Sequence, residues 1–267
     1  MLTLVFLKAQ VRECLKLRTH GQWGSLESPP LCLWKAPRAV YEPYTYRRKV
    51  TGLGDSVGVV KGEKPEENVG AAALHVPGDL TTTKITSLCT SHCICIQVCG
   101  AFREVFLVSL YCQFKDDIEK YLEQLRGVLQ QLSGKRILIA ADANAKSEWW
   151  GSPSNDNREK ILEDFILSND LIVVNKPGGL QTCRTARGES NIDVTLITPN
   201  LQGFLSSWKV ESWTTSDHTP ITIELHFQSQ NAREPRVLDP RFNLRKADWE
   251  EFDRVLLVER DRLNKLR

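Results

Sequence analysis

An α/β sandwich, with strands and helices stacked in layers around one core, is the fold class that the sequence predicts. Apolar runs with a period of two outnumber those with a period near 3.6, so strands outnumber helices. The two kinds do not alternate strictly along the chain, which argues against a doubly wound Rossmann sheet. With 41% apolar and 25% charged residues among 267, the composition is ordinary for a globular chain with a sizeable core.

Residues 1–40 give no convincing element, because Trp23, Gly24, Ser28, Pro29, Pro30 and Pro37 break any period. Short strands are expected at 56–60, 71–74 and 84–88, and a stronger one at 104–111. Between Cys89 and Cys99, the alternating Ile94, Ile96 and Val98 also read as a strand. Residues 116–132 read as a helix, since Ile118, Leu122, Leu125, Leu129 and Leu132 recur at spacings of 4, 3, 4 and 3; Gly134 ends it. A buried strand follows at 136–141. A second helix at 158–168 turns Ile161, Leu162 and Phe165 inward, with Asp156 or Asn157 as its cap. Strands at 171–174, 192–198 and 220–225 complete the domain. Residues 228–243 are polar, carry Pro235 and Pro240, and read as a linker; 246–265 read as a helix with Trp249, Phe252 and Leu256 on one stripe. The expected organisation is a poorly patterned segment at 1–40, one domain at 41–227, and a linker and helix at 228–267.

The net charge of +2 hides a gradient. Residues 1–40 hold six basic and two acidic side chains, 41–227 hold 19 and 23, and 228–267 hold ten and eight. The middle is slightly acidic, so bulk charge does not announce a nucleic-acid binder. No apolar run approaches the roughly 20 residues that span a bilayer. The apolar opening Met1-Leu-Thr-Leu-Val-Phe-Leu7 lacks a basic lead and is a poor secretory signal. A soluble chain of the nucleus or cytoplasm, with reduced thiols, is expected. Four of the eight cysteines cluster with a histidine in Cys89-Thr-Ser-His92-Cys93-Ile-Cys95-Ile-Gln-Val-Cys99. Cys93, Cys95 and Cys99 would share one strand face, too spread out to chelate one ion, so they read as small strand residues rather than a zinc site.

Four strings put ligand-type residues at the ends of apolar strands: Tyr41-Glu42-Pro43-Tyr44, Ile139-Ala-Ala-Asp142-Ala-Asn144, Ser190-Asn191-Ile-Asp193-Val-Thr and Thr215-Ser216-Asp217-His218-Thr-Pro220. Each alone has a plain alternative: a turn, a cap, or a strand aspartate that needs only a hydrogen bond. Together they suit one chemistry. A hard divalent cation takes oxygen ligands, which Glu42, Asp217 or Asn144 could supply. A phosphodiester attacked by water needs an oriented base, neutralisation of the phosphoryl oxygens and help for the leaving oxygen. Asp142, and His218 with Asp193 behind it, could supply the protein's share.

These strings resemble the endonuclease/exonuclease/phosphatase superfamily, whose ordered landmarks are matched in turn by Glu42, Tyr111, Asp142 with Asn144, Asp193, and Asp217 with His218. More narrowly, Ala140-Ala-Asp-Ala-Asn-Ala-Lys-Ser-Glu-Trp-Trp-Gly-Ser152, Asp170-Leu-Ile-Val-Val-Asn-Lys-Pro-Gly178 and Ser190-Asn-Ile-Asp-Val-Thr-Leu196 are similar to the endonuclease domain of LINE-type (non-LTR) retrotransposons. The tail from Arg241 to Phe252 resembles the linker that leads into their polymerase. The resemblance implies a DNase I-like, four-layered α/β sandwich, two packed mixed β-sheets flanked by helices. It further implies nicking of target DNA with Mg2+, for which Mn2+ can substitute, and no membrane partner. On it, Asp142, Asn144, Asp193, His218 and Tyr111 are catalytic, and Glu42, Asp217 and Asn144 hold the metal. Tyr111 either adds a hydrogen bond to the phosphate or is core at a strand end. The chain stops before any polymerase motif, so the reverse transcriptase is expected outside it. There are departures: Tyr41 stands where the family has Gln, Ala141 where it has Gly, and no strand in 1–40 ends in the family's Asn. A catalytically silent, element-derived domain and a phosphatase of the same fold are the competing readings.

Overall fold

The computed structural model describes residues 2–8, 38–41, 45–46, 49–50, 58–61, 71–75, 80–100, 103–186, 188–214, 216–227, 251, 253 and 254. Glu42 and most of the expected tail helix lie outside them. The chain divides into two compact units, Met1–Ser229 and Gln230–Arg267. In the second, the described residues are helical, with an ion pair between Arg254 and Glu251.

Two six-stranded mixed sheets form the first unit. One contains β1 (Leu2–Lys8), β2 (Arg38–Tyr41), β5 (Gly58–Lys61), β6 (Ala71–His75), β15 (Leu205–Val210) and β16 (Ile221–Leu225), in the order β15-β16-β1-β2-β6-β5. The other contains β7 (Thr81–Lys84), β8 (Cys93–Gly100), β9 (Arg103–Tyr111), β10 (Ile137–Asp142), β11 (Ile172–Val173) and β14 (Asp193–Ile197), in the order β11-β14-β10-β9-β8-β7. Two small pairs stand apart, β3 (Thr45–Tyr46) with β4 (Lys49–Val50), and β12 (Cys183–Thr185) with β13 (Gly188–Ser190).

Period-two patterning sorts the strands' side chains into two cores. Ile94, Ile96, Val98, Leu107, Leu138 and Ala140 face the first sheet and meet Leu2, Leu4, Ile221, Ile223 and Leu225 there. Cys93, Cys95, Val108, Leu110, Ile139 and Ala141 face the other way, onto helices α1 (Glu119–Gln131) and α2 (Asn157–Ser168). Helix α1 buries Tyr121, Leu122, Leu125 and Val128, each worth about 1.5–3 kcal/mol of transfer free energy. Helix α2 begins where Asp156 accepts hydrogen bonds from the backbone N–H of Arg158 and Glu159. The described residues thus stack as helices, sheet and sheet.

Two expectations are corrected. The strand read at 84–88 is instead β7 followed by a 3-10 turn at Thr86–Leu88. The half-buried Ile85 and buried Leu88 are three apart, the spacing of a 3-10 turn, while the preceding threonines make a polar edge strand. Residues 2–8, in the segment where no element was found, form β1, third in its sheet, antiparallel to β16 and parallel to β2. Leu2 and Leu4 are buried, so this short apolar run is a central strand.

Candidate active site at the sheet end

Strand register brings the candidate residues to one level. β10 runs parallel to β9 and antiparallel to β14, so that Asp142 pairs with Tyr111 on one side and Asp193 on the other. Asp142 shares its parity with Leu138 and Ala140, and the row therefore emerges at the end of the seam between the two sheets. Tyr111, Asp142 and Asp193 are all buried. One strand further, the Tyr111 N–H donates to the His92 carbonyl (2.8 Å), and the two rings stack at 6.0 Å and 9°. His92 thus belongs to the row's neighbourhood, a placement that the cysteine-rich string had obscured.

Each group is fixed by a local device. The Asn144 N–H donates to Asp142 Oδ1 (3.3 Å), and the Cys112 N–H to the Asp142 carbonyl (2.8 Å). Asn144 itself has φ +46, a left-handed conformation that Asn adopts more readily than most residues. Its Nδ2 donates to the Cys112 carbonyl (3.0 Å), which leaves its amide oxygen as an acceptor. Asp193 is held by its N–H on Thr182 Oγ1 (3.2 Å) and by its carbonyl, which accepts from Asn175 Nδ2 (2.8 Å). His218 enters through an isolated bridge to Cys183. Its N–H donates to Ser216 Oγ (3.1 Å), and its carbonyl accepts from Thr214 Oγ1 (2.6 Å) and Ser216 Oγ (3.0 Å). Asp217, one residue earlier, faces solvent at the rim.

Nδ1 of His218 lies 3.0 Å from Oδ1 and 2.9 Å from Oδ2 of Asp193, both residues buried. Burial pulls the imidazole's pKa down; the Asp193 charge and hydrogen bond, helped by Cys183 and Asp142, outweigh it and raise it from 6.5 to about 11. That balance favours the protonated, cationic ring. Among the described residues, Asp142, Asp193 and His218 are the one group of His, Cys, Asp and Glu whose ligand atoms lie within 4.8 Å of one another. A doubly protonated imidazole has no lone pair to give, so the trio is a carboxylate beside an ion pair rather than a three-ligand cage. Oxygen donors such as the Asn144 amide, expected with Asp217 and Glu42 to hold the ion, suit a hard divalent cation.

The supporting residues were harder to read. Buried Asn191 accepts from the Thr182 N–H (2.8 Å) and donates to the carbonyls of Trp150 (3.1 Å) and Gly151 (2.9 Å). It clamps three chain segments around the site, a structural task that its place in the Ser190-Asn-Ile-Asp193 string did not reveal. Thr182 carried no signal, and Asn175 only its place in the string from Asp170 to Gly178, because their partners are reached only through the fold. The strand reading of the cysteine-rich string is borne out, since Cys93, Cys95 and Cys99 lie in β8; Cys93 and Cys95 are buried, and burial drives their thiols up, Cys95 to about 12.

The profile of the endonuclease–reverse transcriptase family matches residues 105–222. A Pol polyprotein of the type-1 retrotransposable element R1 from Bradysia coprophila is 29% identical over 217 residues, 77% of this chain and 22% of its own length. The endonuclease domain of TRAS1, a telomere-specific non-LTR retrotransposon, superposes with a TM-score of 0.69 at 26% identity, over 85% of this chain and all of that one. These matches bear out the resemblance to the endonuclease/exonuclease/phosphatase superfamily and, within it, to the endonuclease domains of LINE-type retrotransposons. The superfamily fold is DNase I-like, and an AP endonuclease from Leishmania major shares it (TM-score 0.61, 9% identity, 85% of this chain and 88% of that one). Proteins of this superfamily are divalent-metal dependent. The chain spans about a fifth of the length of the curated relatives it matches. No helix among the described residues is long and apolar enough to cross a membrane.

Proposed function

We propose that the chain is an endonuclease that nicks DNA by hydrolysing a phosphodiester bond, with magnesium as its ion and manganese able to substitute. The observation that carries this reading is the buried Asp193–His218 ion pair beside the Asp142 carboxylate at the sheet end. Asn144, Asp217 and Glu42 would hold the ion, which supplies charge neutralisation at the phosphate and the leaving oxygen. The Asn144 amide oxygen is available for this because its nitrogen is engaged by Cys112.

The protein's own groups do the rest. Asp142, steadied by the Asn144 N–H, orients the attacking water and accepts its proton as the water oxygen bonds to phosphorus. The bond from phosphorus to the leaving oxygen then breaks. His218, held cationic by Asp193, donates its remaining N–H to a non-bridging oxygen whose negative charge grows in the transition state. Tyr111, level with Asp142, adds a hydrogen bond to the same phosphate. A reverse transcriptase domain of the parent polyprotein is the expected partner, using the nick.

Conversion of supercoiled plasmid to open circle with magnesium, abolished by EDTA, tests the reading. A parallel phosphate-release assay on phosphomonoesters separates a nuclease from a phosphatase of the same fold. Phosphate release without nicking would overturn the proposal.

A further inference from the structure

Phe114 is 71% exposed. Single exposed apolar side chains are ordinary, but this one stands on backbone that is tied directly to the active-site row. It follows Tyr111 by three residues, so the two Cα atoms lie within about 11 Å. The turn beneath it closes through the Asp116 N–H on the Gln113 carbonyl (3.2 Å). Asn144 grips the turn's approach at the Cys112 carbonyl (3.0 Å). Arg158, reaching from α2, donates through one terminal nitrogen to the carbonyls of Asp116 (2.6 Å) and Phe114 (3.4 Å), and through the other to that of Ala143 (3.2 Å). Ala143 sits between Asp142 and Asn144. Two side chains therefore lock the aromatic turn to the loop that carries the proposed base, and the ring needs no ordering to act.

The surroundings say what it meets. Its chain neighbours Gln113, Lys115 and Asp117 are polar and exposed, so the turn itself offers no run of apolar side chains. Of the nearby acidic groups, Asp116 is engaged by Lys120 and Tyr121, and Asp117 accepts from the Glu119 N–H. Lys115 and Lys146 are exposed on the two locked segments, where they can meet phosphates. A planar apolar side chain on a turn of polar and basic residues fits a base step of the duplex, where it can wedge in, partly unstack the step and stack on a nucleobase whatever its identity. Resting on the nuclease reading, we infer that Phe114 stacks on a base beside the scissile phosphate and sets the grip on DNA.

The test uses the full chain, a fluorescein-labelled duplex in EDTA read by anisotropy, and single-turnover plasmid nicking with magnesium. Phe114→Ala should weaken duplex binding on the order of tenfold, and the loss in nicking should fall on the half-saturating DNA concentration. Phe114→Trp should restore both. Phe114→Leu, apolar but without a π-face, should bind as weakly as the alanine variant, and it guards against a folding artefact. Since no charge is removed, the fold-loss should be equal at about 50 and about 200 mM salt. Wild-type and alanine variants that bind alike, or a leucine variant that binds like wild type, would overturn the assignment while leaving the nuclease reading intact. A wild-type chain that neither binds nor nicks duplex would overturn both.

Discussion

Replacing Asp193 by Asn removes a charge while leaving an oxygen that can still accept from His218 Nδ1, so it isolates the electrostatic part of the pair. With the carboxylate present, the imidazole titrates near 11. Without it, burial dominates and the ring should titrate below its ordinary 6.5. At about pH 7.5 the cationic fraction then falls from nearly one to less than about a tenth, which alone costs at least about tenfold in rate. Weaker stabilisation of the phosphoryl oxygen brings the expected loss to the order of 10²–10³. Single-turnover nicking across pH should show a variant whose rate declines as pH rises through the neutral range, where the wild type does not titrate His218. Stability should change in a related way. The folded pKa lies above the unfolded one, so the pair's contribution is complete below about pH 6.5 and is lost as pH rises through about 11. Uncoupling a buried pair by removing one partner costs about 3–5 kcal/mol, or about 10 °C in melting temperature near neutral pH. A variant with the wild-type pH–rate profile would refute the cationic role of His218.

Three further outcomes are expected. His218→Ala should lower turnover on the order of 10²–10³ while duplex affinity at fixed salt changes far less, because that affinity comes from dispersed backbone contacts; equal losses would make His218 a binding residue. Glu42→Gln, in the Tyr41-Glu42-Pro43 string, should abolish magnesium-dependent nicking without altering the circular dichroism spectrum, and unchanged activity would remove Glu42 from the site. Gly151→Ala should destabilise the fold by about 1–3 kcal/mol in urea titration, since Gly151 has φ +86 and a Cβ there would lie 2.9 Å from Asn191 Nδ2 and 3.0 Å from Pro177 Cα.

What could be read in advance was what repeats locally. The 4-3-4-3 spacing announced α1, a cap at Asp156 or Asn157 (Asp156 in the structure) announced α2, and the alternation around Ile94, Ile96 and Val98 announced β8. Asp142, Asp193 and His218 could be named because each ends or begins such a run. Partnership across the sheet was not visible. Leu2–Lys8 shows only seven apolar-rich residues, and its role as a central strand depends on β16, more than 200 positions away. The same holds for polar side chains whose task is to meet distant backbone: Asn191 to Trp150, Asn175 to Asp193, and Arg158 to Phe114 have no periodicity to betray them. His92 was hidden differently, because its cysteine neighbours suggested a metal question, while its ring lies against Tyr111.

The alignment of Tyr111, Asp142 and Asp193 in one row has a consequence for how the molecule comes into being. Neighbours in that row are 31 and 51 positions apart, and the histidine that completes it comes another 25 later. Every one of these pairings is non-local, so none can form before the intervening loops have closed, and such closures are slow. During synthesis, the portion up to residue 192 would hold Asp142 with neither member of the ion pair, and the portion up to 217 would hold a buried carboxylate without its cation. If the chain is the nuclease proposed above, its hydrolytic competence would arrive only with the last strand of the sandwich. On the proposed reading, a polypeptide still emerging, or with β14 unpaired from β10, would lack the cation that its chemistry needs.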